Sequence, residues 1–208
     1  MATVLAGVIF AGFVPTFFAR RAYPDLPPLS GLALLHGVAG TLYLVLFVAQ
    51  AWLVTADRRD SHRRLGVWGA VLAVLFVLSA AGVITNVELS HAYDPLGTLA
   101  AHVYANGAPT AAFGVLVAAG MAQRRVAAPH KRFMLLAAIA LLPPGTGRLF
   151  GHFGISFLNV PVYLCVLFLN ALYDLFVHRR VHPVSWIGGV SLAAIEISTD
   201  QWLAAIGS

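Results

Sequence analysis

His36 and His102 are the residues from which this chain could build chemistry. Each stands about five residues inside an apolar run of membrane length. At 1.5 Å per residue that is roughly 7–9 Å below the boundary of the hydrocarbon. The two runs point the same way, so the two imidazoles share one depth. Small residues follow both, Gly37, Ala39 and Gly40 after the first and Ala105 and Gly107 after the second. They leave room between helices for close packing or for something flat. An imidazole at that depth faces the bundle interior and has a partner. Two neutral imidazoles at equal depth on facing helices meet the requirement for bis-His axial ligation of haem b. The alternative is that each donates a hydrogen bond to a backbone carbonyl.

The other polar residues sort by position. His62 and His130 stand beside cationic residues where apolar runs begin, a place for interfacial contacts with backbone N–H groups or lipid phosphate. A second haem near that face would use one such His from each run, with arginines for its propionates. His178 and His182 lie in HRRVHP and read as interfacial anchors. Arg148 falls inside an apolar run and needs a carboxylate, phosphate or propionate, with Glu88, Asp94 and Glu196 as the protein candidates. Asp174, near the end of another run, is expected to pair with Arg179 or Arg180. A metal site without haem would draw on His36, His102 and His152, with His91 or Glu88, and suit copper or zinc.

A repeat relates the histidines. Sliding residues 35–65 onto 101–133 by 66 positions sets His36 on His102, and Arg58 and Arg59 on Arg124 and Arg125. A two-residue insertion then sets His62, Arg63, Arg64 and Leu65 on His130, Lys131, Arg132 and Phe133. Matching at a fixed offset is the signature of an internal repeat, with copies over about 31–87 and 97–152.

The elements that carry these residues follow from composition. Of 208 residues 60% are hydrophobic and 10% charged, against about 25% charged in an ordinary soluble domain. The fold class expected is all-α: one transmembrane bundle over 1–208, a polytopic membrane protein in a lipid bilayer. Seven spans are expected, at about 2–19, 31–54, 66–87, 97–121, from 133 onward, 156–177 and from 183 onward. The last frays somewhere after Glu196. Pro109 is expected to kink the fourth. The fifth meets Pro143, Pro144 and Gly145 after ten residues, near the midplane, which predicts a break over 143–147. The N-terminus has no basic region before its apolar run and reads as a retained span rather than a cleaved signal. Cys165 lies alone in an apolar run, so no disulfide framework exists.

Ten of the thirteen Lys and Arg fall in the loops after spans two, four and six. The positive-inside rule makes that side cytoplasmic, with the N-terminus inside and the C-terminus outside, in a bacterial inner membrane. The basic residues sit in short loops, so the net charge of +5 does not argue for nucleic acid.

FVPTFF, LHG, HRRLG, HKRFMLLA and RRVHP together resemble a family of uncharacterised bacterial seven-span membrane proteins of about this length. The arrangement, with one His pair at equal depth and another toward the opposite face, is similar to the transmembrane di-haem b-type cytochromes. That resemblance implies electron transfer, with a quinone or another redox partner. In that family the second pair lies within helices, whereas here His62 and His130 are expected at helix starts. A transporter using the midplane break and Arg148, and a non-catalytic subunit of a larger membrane complex, remain open. The histidine ladder of a membrane di-iron oxygenase is absent. Lys131, the one lysine, lies in a loop, which excludes a retinal Schiff base in the last span.

Overall fold

The structure is a computed structural model describing residues 1–24, 26, 28–90 and 96–207, with side chains over 1–24, 26, 28–86 and 103–203. The described residues form helices and no strands. In order they are α1 (Ala2–Phe13), α2 (Gly31–Thr55), α3 (Arg59–Ser90), α4 (Leu96–Ala122), α5 (Ala127–Ala140), α6 (Leu142–His152), α7 (Asn159–His178) and α8 (Pro183–Gly207). α5 and α6 are the two halves of one broken span, which gives the seven helices of a membrane bundle. Five of them are long and apolar enough to cross a membrane. α1 is shorter and is extended by a π-helical turn, Val14–Phe18, with Pro15 as its second residue. Hydrocarbon offers backbone groups no hydrogen bonds, which is why apolar runs of this length close their own as helices.

α5 is the hub. Leu136, Ala137, Ala138, Ile139 and Ala140 are at most 1% exposed, and their alanines let neighbouring helices approach closely. Large apolar side chains such as Leu42, Leu78, Val115, Phe168 and Phe176 face outward, as a lipid-facing surface requires. α2 with α3 and α4 with α5 form two hairpins, packed together through α3 and α4. α1 lies against α6, where Gly12 and Gly145 leave no space for side chains: a Cβ on Gly145 would stand 2.9 Å from the Ile9 Cα.

Several boundaries differ from the expected ones. α3 begins at Arg59 and α5 at Ala127, nearly two turns before the apolar runs. Helix propensity does not stop where hydrophobicity does, and arginine and alanine are good helix formers. His62 and His130 are each the fourth residue of their helix, in its first turn, so both stand at helix starts as expected. The break in the fifth span falls at Leu141, ahead of the prolines, and 143–147 are helical. Pro143 and Pro144 occupy the first turn of α6, where a missing N–H has no consequence, and the chain before them must leave the helix. α4 continues through Pro109 to Ala122, and α8 runs on to Gly207.

Candidate functional site

A cavity of about 330 Å³ opens between α1, α2, α3, α4 and the α5–α6 junction. Its wall is aromatic, with Phe10, Phe13, Phe17, Phe18 and Phe76, and His36, Asn106 and Arg148 face it. The small residues after His36 do leave room, but for the protein's own rings. Gly37 receives Phe17, and a Cβ on Gly40 would stand 2.9 Å from the Phe76 ring.

His36 is held on one side only. Its half-buried ring stacks on Phe76 with centroids 4.3 Å apart. Nδ1 lies 3.3 Å from the Phe76 carbonyl oxygen and 3.2 Å from Ser79 Oγ. The Ser79 hydroxyl donates to that same carbonyl at 3.0 Å, so the hydroxyl oxygen meets His36 as an acceptor. Nδ1 is then the protonated nitrogen, and Nε2 keeps its lone pair. This is the orientation that a second-shell carbonyl imposes on a metal-ligating histidine.

Arg148 reaches the cavity from α6. One guanidinium nitrogen donates to the Pro144 carbonyl at 2.8 Å, and the guanidinium carbon stands 4.6 Å from the centre of the Phe13 ring. No carboxylate meets it among the described residues, so most of its five donors remain available. Glu196, one of its expected partners, instead accepts from Asn159 Nδ2 at 3.0 Å. Asn159 Oδ1 in turn accepts from the Thr146 hydroxyl. Thr41 and Thr110 line the same cavity with their hydroxyls returned to the Gly37 and Asn106 carbonyls, each at 2.7 Å. What remains for a ligand is an apolar slot with one free imidazole nitrogen and one guanidinium.

The side chains of Glu88, His91 and His102 lie outside the described residues, as does Asp94. His152 is exposed, its ring against Phe153, and does not line the cavity. Among the described residues no three His, Cys, Asp or Glu side chains come together as a metal would need.

His62 and His130 do come together. Their ring centroids are 6.2 Å apart and the rings are nearly perpendicular. His130 Nδ1 donates to the Gly120 carbonyl at 2.7 Å, which leaves its Nε2 free. His62 faces the Gln50 carbonyl. Its Nδ1, and both amide atoms of Gln50, are buried with no hydrogen-bond partner among the described residues. The sequence offset had paired these two histidines by position; that their rings meet is decided by how the two helix starts pack. Gln50 gave no signal beyond being polar in an apolar run.

At the same end Arg132 of α5 crosses to Asp174 of α7. Its Nε lies 2.9 and 3.1 Å from the two carboxylate oxygens, and a terminal nitrogen closes the fork. The Ser185 hydroxyl at 2.6 Å and the His182 backbone N–H at 3.3 Å complete the carboxylate's shell. The expected pairing of Asp174 with Arg179 or Arg180 does not form. Arg179 ends α7 in the left-handed region at φ 58°, turning the chain away, while α5 brings Arg132 alongside.

Comparison with known protein families, with curated proteins and with solved structures finds no match.

Proposed function

We propose that the outer cavity binds haem b, which His36 would help to hold, and that the protein handles electrons within the bilayer. One observation carries this: His36 Nδ1 is spent on the Phe76 carbonyl and Ser79, so Nε2 keeps its lone pair on a residue that lines an aromatic slot, as a haem-holding imidazole would need. Haem would supply one-electron exchange. The chain's own residues fix the imidazole tautomer, exclude water with phenylalanine rings, and offer Arg148 to a propionate. His102 would be the second residue to hold the haem in this proposal. It precedes Asn106 by four positions in α4, the spacing that shares a helix face, and Asn106 lines the cavity. His62 and His130 would hold a second haem at the other face. The proposal puts the basic end in the cytoplasm of a bacterial cell, by the positive-inside rule.

The cavity's size favours a second reading. A volume of about 330 Å³ is at the small end of ligand pockets, tight for a complete porphyrin and ample for a quinone ring. Arg148 would donate to one oxygen of that ring, and His36 Nε2 would accept from the hydroxyl of its reduced form.

The test is the absorption spectrum of the purified protein, oxidised and then reduced with dithionite. Sharp α and β bands that disappear in His36→Ala and in His102→Ala are the expected result. A colourless protein whose organic extract contains quinone, lost in His36→Ala, moves the site to the second reading. A protein with neither, or bands untouched by His36→Ala, overturns both.

A further inference from the structure

We propose that the basic end carries a binding site for a phosphate group, separate from the aromatic cavity. A cavity of about 470 Å³ lies between the first turn of α5 and the α7–α8 junction, lined by Lys131, Arg132, His178, Arg180 and His182. Its charge is not balanced. Asp174, the carboxylate beside it, is consumed by Arg132, Ser185 and the His182 backbone N–H. That pairing neutralises Arg132 and leaves Lys131 and Arg180, which have no partner among the described residues.

The donors are oriented as well as charged. His182 Nδ1 accepts the Val184 N–H at 3.2 Å, so its ring proton sits on Nε2 and can be donated. Ala127 and Ala128 line the same cavity. They open α5, and no side chain caps that terminus, so their N–H groups have no intrahelical acceptor. Cations on two separate elements, an imidazole N–H and the free N–H groups of a helix start converge on one volume. An oxyanion with several acceptor oxygens satisfies that set, and phosphate fits it better than a planar carboxylate.

The phosphate could be free in solution or part of an anionic lipid head group, since the cavity lies at the ends of the spans, where head groups sit. The experiment uses the full-length protein in nanodiscs of phosphatidylcholine, with inorganic phosphate added at constant ionic strength. It is repeated in nanodiscs containing phosphatidylglycerol without added phosphate. Binding is read by native mass spectrometry and thermal midpoint. Stabilisation by inorganic phosphate assigns a soluble phosphate ligand; stabilisation only by phosphatidylglycerol assigns a lipid. In either case Lys131→Gln with Arg180→Gln should weaken binding roughly ten- to a hundredfold, the scale of lost charge-assisted hydrogen bonds. Both residues are exposed and unpaired, so the unliganded midpoint should not move. Arg124→Gln with Arg125→Gln, at the same end but outside the cavity, should leave binding intact. No stabilisation by either probe overturns the site, and so does an equal loss in the two double variants.

Discussion

Arg132 and Asp174 are 5% and 3% exposed, and at that burial an ion pair is worth less than the damage of halving it. Taking either charge out of water is unfavourable, and the fork geometry with Ser185 and the His182 N–H offsets that. Removing one partner strands the other. Arg132→Met should lower unfolding stability by about 3–5 kcal/mol, and Arg132→Met with Asp174→Leu should recover much of the loss. Thermal midpoints of the three proteins in one detergent check this; a double variant as weak as the single one would remove the stranded-charge explanation. That Asp174 needs a cation was legible in the sequence. Which cation was not, because Arg132, Arg179 and Arg180 all lie at one end and only helix packing separates them. His182 shows the same dependence on neighbours: burial first, then the Arg132 charge, hold its imidazole below the ordinary value.

Among the elements, α1 depends on a contact between two glycines. Gly12 and Gly145 bring α1 and α6 so close that neither position has room for a Cβ. α1 and its π-turn also supply Phe10, Phe13, Phe17 and Phe18 to the aromatic cavity. Gly12→Leu should therefore do two things together. It should destabilise the protein by about 1–3 kcal/mol, as overpacking does, and it should release the cavity's ligand. A variant that loses stability but retains ligand would show that α1 is not an essential wall. The glycine after Pro143 and Pro144 was visible as part of a break, but its partner on α1 was not. Nothing in the sequence says which of the small residues along α1 faces α6.

For the whole molecule the prediction concerns orientation. In a Cys165→Ser background, His152→Cys should react with an impermeant maleimide added to intact cells. Arg124→Cys should react only after the membrane is opened. The reverse pattern would invert the proposed topology, placing the phosphate site outside and the aromatic cavity in the cytoplasmic half. The two sites lie toward opposite ends of one bundle, so a single labelling experiment assigns a side to both.

The sequence by itself determined the class and the depths. Runs of apolar residues this long must close their backbone hydrogen bonds internally, which makes them helices, and rise per residue then sets the level of His36, Arg148 and the basic turns. It did not determine directions around the helix axes. A helix apolar all round carries no stripe to show which face is inside, so the packing of Gly37 on Phe17, Gly40 on Phe76 and Gly12 on Gly145 had to decide that. Tertiary structure accordingly decided that His36 would spend Nδ1 on Phe76 and Ser79, that His62 would meet His130, and that Asp174 would take Arg132. Contacts between helices are choices of rotation, and rotation is fixed only when the helices are packed.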